Sequence, residues 1–223
     1  MELTIQSNVL RGILKNVYFI NGTAYAGKST MVHRLAVTFD GIECGENYHD
    51  NLQNYLDPDH QPALCYTKTM QNWQEFISRT PEEYERWMQN CSREGAPLEI
   101  LQLCRYALEA PERKIFVDTN IPTDILREIA GENRVLFMLA PTEMSVNRFF
   151  DRPDAEKQFI YQRILEAPDP DAALAHYRKI LSYINRAECH RAFEESGFFV
   201  YHRTPESTPD EAFYAVAGAF GLI

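Results

Sequence analysis

Residues 16–21, NVYFIN, form a short apolar run rich in β-forming side chains. They lead into Gly22-Thr23-Ala24-Tyr25-Ala26-Gly27-Lys28-Ser29, and STMVHRLAVTF follows with Met31, Val32, Leu35, Ala36 and Thr38 on one helical stripe. The spacing G-x-x-x-x-G-K-[ST] is met at every fixed position, between a predicted strand and a predicted helix. A strand feeding a helix through so short a loop commits this part of the chain to a β–loop–α unit. That unit is the opening of a parallel sheet. The same spacing predicts chemistry, because glycines let the loop backbone close around an anion while successive N–H groups point inward. Lys28 adds a cation for the β- and γ-phosphates, and the Ser29 hydroxyl is in reach of Mg²⁺. The segment Gly22 to Thr30 is therefore expected to bind the phosphates of a nucleoside triphosphate, ATP with Mg²⁺.

The rest of the chain repeats the alternation. Strands are predicted at 41–44, 114–118, 134–140 and 198–202, and helices at 69–78, 81–94, 97–110, 142–150, 155–166, 171–197 and 208–222. Thr80 before Pro81, with Glu83 three residues on, reads as a capping box. Pro81 and Pro97 are each read at a helix's first turn, and Gly197 as the residue that closes the long helix 171–197. The stretch from Tyr48 to about Thr67 has no firm period and reads mostly as loop. Five strands alternating with helices predict one α/β domain over 1–223, with a parallel sheet covered on both faces. Residues 48–111 form a helical insertion between strands 2 and 3.

Composition narrows the partners. The formal net charge is −10, with Lys and Arg scattered rather than clustered. That disfavours a nucleic-acid groove, which needs a basic face. No apolar run approaches the ~18 residues of a membrane span, and the start of the chain lacks the apolar stretch of a secretory signal. The five cysteines never fall in a CxxC spacing and read as reduced thiols. A cytoplasmic protein, monomer or homodimer, is expected.

Asp118 ends the apolar strand KIFVD and is the expected partner of Ser29 in holding the metal. In a doubly wound sheet ligands sit beyond the carboxyl ends of the strands, so the end of the second strand faces the phosphoryl acceptor. Glu46 and Asp50 are the candidates there for taking the acceptor's proton. Arg79, Arg86 and Arg93 recur every seven residues and read as a solvated face paired with Glu83 and Glu85. The aromatics Trp73, Phe76, Tyr84 and Trp87 read as core.

The glycine loop, the VDTNIP segment, the strand RVLFMLA followed by NRFFDRPD, and the closing FFVYHRTPESTPDE together resemble the P-loop small-molecule and nucleotide kinases. That group includes adenylate kinase, shikimate kinase and chloramphenicol phosphotransferase. The resemblance covers nearly the whole chain in layout and is specific in residues at the glycine loop. It implies a three-layer α/β/α P-loop NTPase fold with a five-stranded parallel sheet and a short arginine-bearing lid over 148–163. It also implies that Arg148 and Arg152, joined by Arg163, close over the transferred phosphoryl, and that the Arg203-Thr204-Pro205 loop packs against adenine. The chain departs from nucleoside monophosphate kinases after Asp118, where Thr119-Asn120-Ile121-Pro122-Thr123 carries no arginine. The function expected is transfer of the γ-phosphoryl of ATP to a small-molecule acceptor. Two alternatives stay open: a nucleoside or nucleotide kinase with an atypical acceptor motif, and a nucleotide-dependent regulatory ATPase or switch. No NKxD guanine-reading motif occurs.

Overall fold

A computed structural model describes residues 5–151 and 155–223. Five strands, β1 (Val17–Gly22), β2 (Ile42–Cys44), β3 (Ile115–Asp118), β4 (Val135–Leu139) and β5 (Phe199–His202), form one sheet in the order β2-β3-β1-β4-β5. Every pairing is parallel. The helices are α1 (Ser7–Ile13), α2 (Lys28–Thr38), α3 (Pro62–Thr69), α4 (Trp73–Ile77), α5 (Pro81–Glu109) and α6 (Thr123–Ile129). After β4 come α7 (Thr142–Asn147), α8 (Ala155–Leu165), α9 (Pro170–Ile184) and α10 (Ala187–Glu194), and after β5 comes α11 (Pro209–Ala219).

Strand side chains alternate between faces, and each face has its own core. Tyr18, Ile20, Phe116, Leu136 and Met138 pack with Met31, Leu35, Phe213 and Val216 of α2 and α11. Val17, Phe19, Ile115, Val117, Val135 and Phe137 pack instead with Ala96, Leu103 and Ala107 of α5 and Leu126 and Ile129 of α6. The three central strands are thus apolar on both sides, as a doubly covered parallel sheet requires. The helix after β1 lies on one face and the helix after β3 on the other. The crevice between them opens at the carboxyl end of β1.

A third cluster lies away from the sheet, where Phe76, Ile77, Tyr84, Ile164, Tyr177, Ile180 and Leu181 bring together α4, the first half of α5, α8 and α9. Trp73, Phe76, Tyr84 and Trp87 all pack here, edge to face with one another and with Phe159 and Tyr177. Arg79 does not share a face with Arg86 and Arg93. It precedes α5 and lies 3.7 Å from the centroid of Tyr66, whereas Arg93 is exposed and bonded to Asp124 at 3.1 Å.

Several helix limits differ from the sequence expectation. Residues 81–109 form one helix that continues through Pro97. The proline removes one N–H from the ladder, at a cost of about 3 kcal/mol in a helix interior. Both halves are anchored independently, Tyr84 in the third cluster and Ala96, Leu103 and Ala107 against the sheet, so the helix survives. The helix expected over 171–197 is instead two, α9 and α10, broken at Asn185 and Arg186. Asn185 turns its amide back to the Leu181 carbonyl at 2.9 Å. The hydroxyl of Thr142 takes the Asn185 carbonyl that would have continued the ladder. The region 48–67, read mostly as loop, holds a 3-10 turn over Asp50–Tyr55 and most of α3. Glu94 accepts from the Ala63 and Leu64 amides at 2.9 Å each and caps the start of α3. Among the described residues no helix is long and apolar enough to cross a membrane.

Candidate functional site

The loop between β1 and α2 leaves the sheet at Gly22 and enters the helix at Gly27, with φ of 131° and 96°. At Gly22 the conformation is enforced twice over, because a Cβ would sit 1.9 Å from the Met138 carbonyl oxygen. Tyr25 between them also takes a positive φ of 65°. The loop is held from outside by β4 and its continuation. Thr23 donates its amide to Met138 at 3.0 Å, and its hydroxyl accepts from the Ala140 amide at 2.8 Å. The Ser145 hydroxyl of α7 donates to the Ala24 carbonyl at 2.9 Å, and Arg203 donates to the Tyr25 carbonyl.

With the loop so placed, the N–H groups of Gly27, Lys28, Ser29 and Thr30 at the start of α2 have no protein acceptor among the described residues. They form the positive end of an eleven-residue helix. Lys28 bends back over the loop, its ammonium 3.3 Å from the Thr23 carbonyl oxygen and 3.8 Å from Asp118 Oδ1. The Ser29 hydroxyl donates to Asp118 Oδ2 at 2.8 Å. Strand register accounts for this meeting. Asp118 pairs with Ile20, two residues before Gly22, so its carboxylate emerges beside the first turn of α2. The Asp118 side chain is 3% exposed and that of Lys28 13%. The site thus gathers a buried carboxylate, a hydroxyl, an ammonium and a set of unbonded amides. Hard oxygen donors such as Ser29 and Asp118 suit Mg²⁺, and the amides and ammonium suit phosphate oxygens.

On the far side of the loop a pocket of about 80 Å³ is lined by Gly27, Thr30, Met138, Tyr201, Arg203 and Ala212. A more spacious cavity of about 290 Å³, between α4 and α9, is lined by Gln74, Ile77, Ser78, Ala172, Ala173 and His176. None of the groups just described lines it.

The expected site residues fall into three sets. Gly22 to Thr30, Asp118 and Arg203 converge. Arg148 is exposed at the end of α7, three residues beyond the Ser145 that holds the loop. Arg163 is engaged elsewhere, paired with Glu166 at 2.8 Å and lying over the Phe159 ring. Arg152 lies outside the described residues. Glu46 and Asp50 are exposed, Asp50 bonded to the Gln53 side chain at 2.7 Å.

A further acid, which the sequence reading passed over, also reaches the strand ends. Glu99 of α5 is 4% exposed. Its Oε2 accepts from the Thr119 hydroxyl at 2.6 Å and the Tyr48 hydroxyl at 2.9 Å. Burial pushes its pKa up to about 7, with the Asp118 charge adding to the rise and the hydrogen bonds from Thr119, Tyr48 and the Asn120 amide opposing it. Burial and the Glu99 charge likewise raise the Tyr48 phenol, and burial pushes the Cys44 thiol up to about 12. The sequence did carry a signal for Glu99. It sits three residues after Ala96 and four before Leu103, an acid on the buried stripe of α5.

No protein-family model and no curated protein sequence matches this chain.

Proposed function

We propose that the chain is a P-loop kinase of three-layer α/β/α architecture that moves the γ-phosphoryl of ATP, with Mg²⁺, to a small molecule. The observation that carries the reading is the contact of Ser29 with Asp118 at 2.8 Å, with the Lys28 ammonium 3.8 Å from the same carboxylate. This contact sits at a helix start whose first amides have no protein acceptor among the described residues. Lys28 and the loop amides would hold the β- and γ-phosphates, and Ser29 and Asp118 would hold the metal. Mg²⁺, when bound, neutralises charge on the phosphate oxygens. Arg203 fixes the loop from the side of the small pocket, which suits it to the edge of a nucleotide base. Arg148, at the end of the helix whose Ser145 bonds to Ala24, would approach the transferred group. Burial of Lys28 and Asp118 strengthens their electrostatic effect over its value in water. No covalent enzyme intermediate is required; the residues act by position and charge.

The acceptor enters from the ends of β2 and β3.

The test is ATP consumption by the purified protein with Mg²⁺, alone and against a panel of nucleosides, nucleotides, sugars and amino alcohols. Turnover that rises steeply with one acceptor and collapses in Lys28→Ala supports the kinase. Arg148→Ala is expected to lower kcat on the order of 10²-fold with nucleotide affinity nearly unchanged. Slow hydrolysis indifferent to every acceptor but altered by a protein partner would favour a regulatory ATPase.

A further inference from the structure

Among the described residues two acids are buried, Asp118 and Glu99, and a single residue of the chain connects them. Thr119 follows Asp118 directly. Its hydroxyl donates to Glu99 at 2.6 Å and accepts from the Ile121 amide at 3.0 Å, and its own amide donates to Ile20 of β1 at 3.0 Å. Thr119 directly, and Ile121 through the Thr119 hydroxyl, are therefore tied to the carboxyl of Glu99. The same oxygen takes the Tyr48 hydroxyl from the segment that follows β2.

Packing alone does not explain an acid here. Neighbours on the same stripe of α5, Ala96, Leu103 and Ala107, fill the sheet core with apolar side chains. A buried carboxyl is expensive unless every lone pair is used. An apolar residue could fill the space but could not tie β2, β3 and α5 together at the point where Asp118 must be aimed. We propose that Glu99 is a positioning residue that locks the segment after Asp118 and the segment after β2 to the insertion helix. In this way it sets the metal-holding carboxylate and the acceptor wall as one unit. The functional half of this proposal rests on the kinase reading; the lock itself does not.

The experiment has two arms, both on the full chain. In the first, amide hydrogen exchange without nucleotide compares wild type with Glu99→Gln, Thr119→Val and Tyr48→Phe. Glu99→Gln removes the charge that strengthens the bonds from Thr119 and Tyr48, so it is expected to speed exchange at Asn120 and Ile121 at least tenfold, and at residues 46–50 with them. Exchange in α11 should stay unchanged. The other two variants provide a crossed check that does not need Glu99→Gln to fold. Thr119→Val should loosen 46–50, and Tyr48→Phe should loosen 120–121. Changes confined to the mutated segment, or to α5, would overturn the lock.

In the second arm, ATP affinity is measured with and without Mg²⁺. Glu99→Gln is expected to reduce the gain from Mg²⁺ about tenfold while metal-free affinity stays within twofold. An equal loss in both would overturn the positional role toward Asp118. A wild-type chain that binds no nucleotide would sink the kinase reading and the functional half of this proposal with it, and the exchange arm would still decide the lock.

Discussion

The raised pKa of Glu99 makes a prediction about folding stability that needs no ligand. A glutamate has an ordinary value of 4.5, and burial in the folded chain lifts it to about 7. The folded state therefore holds its proton over a pH range where the unfolded chain has released it. Stability from this group is fully present below about pH 4.5 and is lost as the pH rises through about 7. At 1.36 kcal/mol per unit, the loss across that window amounts to about 3 kcal/mol. Glu99→Gln keeps the shape and removes the titration. Its unfolding free energy minus that of wild type should accordingly become more positive by about 3 kcal/mol between pH 4.5 and pH 8. Urea unfolding of both proteins across that range measures it, and taking the difference cancels the histidines and other shared groups. The causes of the shift give further checks of sign. Asp118→Asn removes a charge that raises the Glu99 pKa and should move the midpoint down, and Thr119→Val removes a hydrogen bond that lowers it and should move the midpoint up. A stability difference that stays flat with pH would refute the reasoning.

The two glycines of the loop should separate fold from function. Gly22→Ala forces a Cβ to 1.9 Å from the Met138 carbonyl oxygen; it is expected to cost more than about 4 kcal/mol, read as a thermal unfolding midpoint far below wild type or as failure to fold. Gly27→Ala meets nothing closer than 3.9 Å, so its cost is the positive φ alone, about 1–2 kcal/mol. It should fold and lose nucleotide affinity, checked by titration with a fluorescent nucleotide. At the other end of the chain, Thr208 accepts from the Glu211 amide at 3.2 Å and Glu211 returns the bond at 2.9 Å. Thr208→Ala should lower stability by about 1 kcal/mol in urea unfolding.

The sequence was most legible where one local cause sufficed. The apolar runs NVYFIN, KIFVD and RVLFMLA are too short for helices and are bounded by turns, so each became a central strand within a residue of its expected limits. The capping box at Thr80 carries its own side-chain signature. The sequence was less legible where distant groups decide. Pro97 lies inside α5 because burial on both sides outweighs one missing N–H. The α9–α10 break depends on Thr142, which is 43 residues from Asn185. Glu46 and Asp50 were favoured by nearness in sequence to the second strand. Glu99, 55 residues beyond Cys44 in the chain, reaches the same end of the sheet because α5 carries it there. The meeting of Ser29 with Asp118 follows from strand order, since β3 is inserted beside β1 rather than beyond β2.

The measurement that bears most directly on the central claim is equilibrium binding of ATP by calorimetry, with and without Mg²⁺, to wild type, Lys28→Ala and Asp118→Asn. The account predicts saturable binding by wild type that tightens with Mg²⁺. Lys28→Ala should weaken binding at least tenfold under both conditions, and Asp118→Asn should lose chiefly the Mg²⁺-dependent gain. Absence of ATP binding by the folded wild-type chain, or binding indifferent to both substitutions, would contradict it.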